Sequence, residues 1–213
     1  MPGALPPAGA AAAVRRGQPG DAAAIAAALA GAFATDPVAT HLFPDPSTRR
    51  AQLERFFGVQ LRHSYLPRGE VLVSSASTTG RLVGASLWLP PSAFSGKVTF
   101  ALWPILLIGV FGRRFGVARR LGALLERHHP AGPHYYLGTV GVAADRQRQG
   151  LGSALITPLL ERCDAEGVPA YLESSRRDNV PFYARLGFAV RDEVTFEGGP
   201  TLWLMDRPPG GAA

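Results

Sequence analysis

Apolar and polar residues alternate along this chain in two rhythms, one of helices and one of strands. Ala12–Arg16 has the pattern of a first strand, leading into the turn Gly17-Gln18-Pro19-Gly20. Asp21 is placed to cap an alanine-rich helix reaching about Ala34. Ser47 is placed to cap a second helix, in which Leu53, Phe56, Phe57, Gln60 and Leu61 recur at helical spacing. Glu70–Ser75 and Arg81–Leu89 read as strands joined by the turn Ser77-Thr78-Thr79-Gly80, and Pro90-Pro91 ends the second. From Phe94 to about Arg127 the chain is apolar and helical in pattern, broken by Pro104 and Gly109–Gly116 and dotted with Arg113, Arg114, Arg119 and Arg120. The plain reading of this insertion is a helical pair packed on the core. It also suits a wall of a substrate pocket or the face of a homodimer.

The second half is patterned more clearly. Tyr135–Val142 is a buried strand, and a helix follows from Gly150 to Glu166. Its stripe is Leu151, Leu155, Ile156, Leu159 and Leu160, its stop is Gly167, and a kink is expected at Pro158. Ala170–Ser174 is a strand, Asn179 is expected to cap a short helix that Gly187 ends, and Ala189–Phe196 and Thr201–Asp206 close the chain around Gly198-Gly199-Pro200. This order predicts an α/β fold, a mixed sheet with helices on both faces. We read one domain over residues 12–209, with an insertion at 94–127 and short tails at 1–11 and 210–213.

Composition narrows the function. A chain of 213 residues with 46% hydrophobic and 18% charged residues can bury a core of its own. Its single cysteine, Cys163, excludes an internal disulfide framework and points to a reducing cytoplasm. The net charge of +6 raises nucleic acid as a partner, but Lys97 is the only lysine and the arginines are scattered, so no nucleic-acid partner is expected. The most membrane-like run, Val98–Phe111, is interrupted by Pro104 and falls short of the roughly 20 residues a spanning helix needs, so no membrane partner is expected. Met1–Ala13 lacks the charged and apolar regions of a signal peptide and reads as a tail.

The chemistry concentrates between the Tyr135–Val142 strand and the helix after it. In Gln147-Arg148-Gln149-Gly150-Leu151-Gly152-Ser153, two glycines let the backbone turn tightly and its amides approach a ligand. The helix start behind them offers unpaired N–H groups to a pyrophosphate; the alternative is an ordinary turn that uses glycine. No His or Cys spacing makes a metal site, and His41, His63, His128, His129 and His134 read as surface or packing residues. Cys163 reads as a core residue, and Trp88, Trp103 and Trp203 as core or as walls of an acceptor pocket.

Val140–Ser153 (VGVAADRQRQGLGS) resembles the Gln/Arg-x-x-Gly-x-Gly loop of the GCN5-related N-acetyltransferase (GNAT) family, with Gln147, Gly150 and Gly152 in the defining positions. Glu173-Ser174-Ser175 and Asn179–Phe188 are similar to the last motif of that family. The run Tyr135–Pro208 looks especially like the puromycin N-acetyltransferase-like enzymes of actinobacteria, although those have a tyrosine near Thr35-Asp36-Pro37 and this chain has none.

The resemblance implies the GNAT fold and transfer of an acetyl group from acetyl-CoA to an amine, by direct attack in a ternary complex and without a metal. It places pantetheine on the backbone of Val140 and Val142 and pyrophosphate on the amides of Arg148–Ser153, with Gly141, Gln147 and Asn179 beside the cofactor. It assigns the Val142 amide to the developing negative charge and Tyr183 to protonating the departing thiolate, helped if the nearby helix acidifies that tyrosine. Glu173 is the carboxylate to deprotonate the amine, unless it is held in a salt bridge to Arg176 or Arg177. The expected acceptor is a small molecule such as an antibiotic or other xenobiotic. The alternatives are a protein or peptide amine, and a module that binds acyl-CoA or nucleic acid without turnover.

Overall fold

A computed structural model describes residues 14–76, 80–94 and 108–211. The expected tail at 1–11, the tip of the turn at 77–79 and the stretch 95–107 with Trp103 and Pro104 lie outside the described residues.

Seven strands form one sheet in the order β1-β2-β3-β4-β5-β7-β6. They are β1 (Val14–Arg16), β2 (Glu70–Ser75), β3 (Leu82–Leu89), β4 (Tyr135–Val142), β5 (Ala170–Ser174), β6 (Ala189–Thr195) and β7 (Thr201–Arg207). Every pairing is antiparallel except β4 with β5, which is parallel. Side chains alternate across the sheet, so its central strands feed two cores. Val71, Val73, Ala85, Leu87, Tyr171 and Leu204 pack with α1 (Ala22–Ala32) and α3 (Pro46–Gln60) on one face. Leu72, Trp88, Leu137, Leu172 and Met205 pack with the long helix Leu151–Glu166 on the other.

The helices follow their apolar stripes. In α1, Ala22, Ile25, Ala26, Leu29 and Ala30 are buried at helical spacing. Between α1 and α3 lies a helix that the pattern did not predict, α2 (Pro37–Leu42). Asp36 caps it by accepting from the Val38 and Ala39 amides, at 2.9 and 3.1 Å. After α3 come a π-helical stretch, Leu61–Tyr65, and the single turn α4 (Leu66–Arg68). The described end of the insertion breaks at the turn Gly112–Arg114 and continues as α5 (Phe115–His128). The long helix is α6 (Leu151–Glu166), and α7 (Val180–Ala184) precedes the last two strands.

Three caps differ from expectation. The Asp21 carboxylate turns back to the Gln18 amide (2.8 Å) and the Arg15 guanidinium instead of capping α1. Asp45, not Ser47, caps α3: Pro46 opens that helix, so the acceptor must stand one residue earlier. Asn179 already has helical backbone angles and makes no side-chain cap bond, so its amide is released from that role.

Pro158 lies inside α6, which is continuous across it. Proline has no N–H for the Ala154 carbonyl in the preceding turn. In that same turn the buried Ser86 hydroxyl reaches across from β3 and donates to the Leu155 carbonyl at 2.6 Å. Strand and helix are thereby tied where the ladder is weakest.

Candidate active site

The parallel pair at the centre of the sheet opens partway along. β4 and β5 are in register at Tyr135–Ala170, Tyr136–Tyr171 and Leu137–Leu172, and beyond Leu137 the two strands no longer pair. A bulge on β4 marks the place: Leu87 faces Thr139 and Trp88 faces Leu137, which leaves Gly138 without a partner on β3. Only glycine fits there, because a Cβ on Gly138 would come within 2.1 Å of the Tyr65 hydroxyl oxygen.

Past the bulge the backbone of β4 is aimed. The Ala143 amide donates to the Val83 carbonyl at 2.7 Å, so the adjacent Val142–Gly84 pair is a non-hydrogen-bonded one. The N–H and C=O of Val142, and by alternation those of Val140, therefore point away from β3, into the opening toward β5. Gly141 faces the other way, toward Ala85 on β3, so its backbone is spent within the sheet.

A cleft of about 560 Å³ fills this opening. Its walls include Leu137–Val142, Gln147, Gly152, Glu173–Arg176, Asn179 and Tyr183, with Phe33, Thr35 and Asp36 closing it from α1 and α2. Of the residues expected at the cofactor, Val140, Gly141, Val142, Gln147, Gly152 and Asn179 line the cleft. Arg148, Gln149, Gly150, Leu151 and Ser153 are not among its lining residues; they lie on the loop and first turn of α6. The loop bends through two positive φ angles, +60° at Arg148 and +79° at Gly150, and the second is the N-cap of α6. The Leu151 side chain is buried among Ala76 and Val83, so only its amide can face a ligand. The Gln147 side chain donates to the Val142 carbonyl at 3.2 Å and ties the loop to the end of β4.

Tyr183 and Glu173 reach this cleft from opposite layers of the sheet. Tyr183 is buried among the α6-side residues, with its ring against Phe182 and Phe188. Its hydroxyl makes no hydrogen bond among the described residues. Burial, with the negative charge of Asp36 as a smaller cause, pushes its pKa above the usual value. Of the two ways to ease proton transfer to the thiolate, a strong hydrogen bond or an acidified tyrosine, desolvation works against the second.

Glu173 stands on the α1 side. Its Oε2 accepts from the Tyr136 hydroxyl at 2.7 Å, its buried Oε1 lies 3.7 Å from His129 Nδ1 with no closer polar partner among the described residues, and the Tyr171 hydroxyl also faces this carboxylate. The alternative of a salt bridge to Arg176 or Arg177 is not what holds it. Arg176 instead donates to the Thr35 carbonyl and hydroxyl.

Sequence reasoning passed over four side chains that lie at the cleft or close to Glu173. Asp36 is buried at the cleft and also accepts a hydrogen bond from Ser175, locking the α1–α2 turn to the end of β5. The Asp-Pro pair at 36–37, an N-cap before a helix-opening proline, was the signal for it. Tyr136 and the pair His129–His134 carried no local signal. Other candidates prove structural. Trp88 is fully buried in the core, and the buried Cys163 thiol is pushed up to about 12 by desolvation, which leaves it unreactive. Among the described residues there is no cluster of three metal-ligating side chains, and no helix long and apolar enough to cross a membrane.

The sheet thus splits between its two parallel strands beside a glycine turn at a helix start. A model of the acetyltransferase (GNAT) family matches residues 41–188 of the chain. The chain belongs to that family. Its members use acetyl-CoA, and it is by that membership an acetyltransferase. An uncharacterized N-acetyltransferase of Schizosaccharomyces pombe is 29% identical over 189 residues, spanning 79% of this chain and 71% of that one. A Corynebacterium glutamicum structure, of histone acetyltransferase HPA2 and related acetyltransferase, superposes with a TM-score of 0.72 at 28% identity, covering 93% of this chain and 96% of that one. Arylalkylamine N-acetyltransferase 2 of Aedes aegypti shares the fold, with a TM-score of 0.58 at 13% identity over 92% of this chain and 98% of that one.

Proposed function

We propose that this GNAT acetyltransferase moves the acetyl group of acetyl-CoA to the amine of a small molecule, by direct attack in a ternary complex within the β4–β5 cleft. The observation that carries this reading is the set of backbone groups on Val140 and Val142 that leave the sheet and face the cleft. They suit the amides of a pantetheine chain. The first-turn amides of α6 (Leu151, Gly152 and Ser153) suit a pyrophosphate, because a helix start leaves them without intrahelical acceptors. Acetyl-CoA supplies an activated acyl group when bound, and the chain's own residues do the rest. The Val142 amide, fixed by the bulge and the ladder, stabilises negative charge developing at the carbonyl oxygen. Glu173 takes the proton of the amine. Tyr183 donates to the departing sulfur, as a hydrogen-bond donor that its burial keeps protonated. Asn179, freed from capping, faces the cofactor side of the cleft.

A small acceptor is supported by the enclosure of the Glu173 carboxylate, whose side chain is only 6% exposed, and by the sequence likeness to puromycin N-acetyltransferase-like enzymes over Tyr135–Pro208. A second reading, a protein or peptide amine, is favoured by the likeness to the Corynebacterium structure, whose name is that of a histone acetyltransferase. We place both acceptors at one domain, residues 12–209, with 94–127 as its insertion.

Hydrogen exchange of the protein with and without acetyl-CoA tests the site itself. The reading predicts slowed exchange confined to Val140–Ser153 and the start of α7. Protection elsewhere, with these amides unchanged, overturns it.

A further inference from the structure

The wall of the cleft opposite the glycine loop holds negative charge with no cation to match it. Asp36 lines the cleft and is buried, only 6% exposed. Its Oδ1 accepts from the Val38 and Ala39 amides and its Oδ2 from the Ser175 hydroxyl, and no ion pair reaches it among the described residues. We propose that Asp36 selects the acceptor: it holds a second, positively charged nitrogen of the acceptor while a neutral amine of the same molecule is acetylated. The substrate class is a small molecule with two or more basic nitrogens. The proposal deepens the small-amine reading and rests on it.

The acceptor positions of the carboxylate can be counted. Each oxygen offers about two. Capping α2 fills both on Oδ1, and Ser175 fills one on Oδ2, so one position remains, on the oxygen that faces Ser175. All three donors are neutral groups. A buried charge is costly unless it is paired, and here the pairing is left to what enters the cleft.

The surroundings have the same sign. α1 ends at the cleft with Gly31, Ala32 and Phe33 beside it. The last turn of α1 carries no basic residue, so nothing within the helix offsets the negative end of its dipole. Glu173 and Asp178 also line the cleft. Arg176 is the one basic side chain among the described lining residues, and it gives its guanidinium to the Thr35 carbonyl and hydroxyl.

The nitrogen recognised cannot be the one that reacts. An amine attacks only as the free base, so a nitrogen held as a cation at Asp36 is no nucleophile there. Glu173 stands two residues before Ser175, which puts their backbones at most about 7 Å apart. Ser175 in turn touches Asp36. A molecule whose basic nitrogens lie a few bonds apart therefore reaches both carboxylates at once.

Calorimetry of the whole protein saturated with CoA, which has no acetyl group to give, measures recognition apart from turnover. The probes are butylamine and diaminobutane, which differ by one terminal amine. We expect the diamine to bind at least about tenfold more tightly, the scale of one hydrogen bond to a charged group. Asp36→Asn keeps an oxygen for the two cap amides and an N–H for the Ser175 hydroxyl, and asparagine caps helices as well as aspartate does, so the fold is retained. In this variant the advantage of the diamine should vanish. Asp36→Ser, a shorter uncharged cap, gives the same readout should the asparagine variant melt early. Equal affinities of the two probes for the parent, no binding of the diamine, or an advantage that survives in either folded variant overturns the proposal. Failure of the acetyltransfer reading shows separately, as absence of acetyl-CoA protection over Val140–Ser153.

Discussion

Tyr183 shows how one side chain is set by its surroundings. Its ring fills the α6-side core while its hydroxyl is left for the cleft, and burial beside Asp36 raises its pKa. The sign matters for pH. A phenol with a raised pKa stays protonated to higher pH than a free one, so the donor form is retained across neutral and mildly alkaline conditions. The transfer rate should therefore show no loss assignable to Tyr183 up to about pH 9.5, below the usual tyrosine pKa of about 10. Replacing Tyr183 by Phe keeps the packing and removes the donor. Single-turnover rates should fall on the order of a hundredfold, the lower end of general acid effects, with acetyl-CoA affinity within about threefold of the parent. A rate equal to the parent across pH 6 to 9 would make Tyr183 a packing residue. The sequence marked this residue through its motif, but the raised pKa depends on burial and on Asp36, 147 residues earlier in the chain, and neither is local.

At the level of elements, the strands and long helices were legible because each carries a stripe of one period. Leu151, Leu155, Ile156, Leu159 and Leu160 are all buried as their spacing predicts, and β4 and β5 have the expected limits. What escaped was short or decided by contacts. Six-residue α2 is too brief to show a period, and the caps of α1, α3 and α7 moved because neighbouring prolines and Arg15 redirect the acceptors. For the insertion, the plain reading, packing on the core, holds at its described end: Phe111 is buried, stacked on Phe43 at 5.2 Å and packed against Phe56. Phe111→Ala should accordingly cost about 3–5 kcal/mol of stability and change the apparent affinities for donor and acceptor alike. Urea melts beside steady-state kinetics check this. A rise in the acceptor KM alone, at unchanged stability, would return Phe111 to the pocket.

For the whole molecule, the split between β4 and β5 joins the two halves of the chain into one site. The cofactor side comes from the second half, where the glycine loop and the Asn179–Phe188 motif made it readable from residues alone. We assign the acceptor side to Thr35 and Asp36 at the α1–α2 turn and to the end of β5, which meet only in the folded sheet. No run of residues could announce it, so the acceptor is the part of the function that the sequence pattern left open. The most direct measurement is release of free CoA thiol from acetyl-CoA by the whole protein, against a panel of small amines, aminoglycoside and nucleoside antibiotics, and amine-bearing peptides. Our account predicts thiol release that depends on at least one small amine, with the acetyl group recovered on its nitrogen. Release with peptides only, or none with any acceptor while acetyl-CoA still binds, would contradict it.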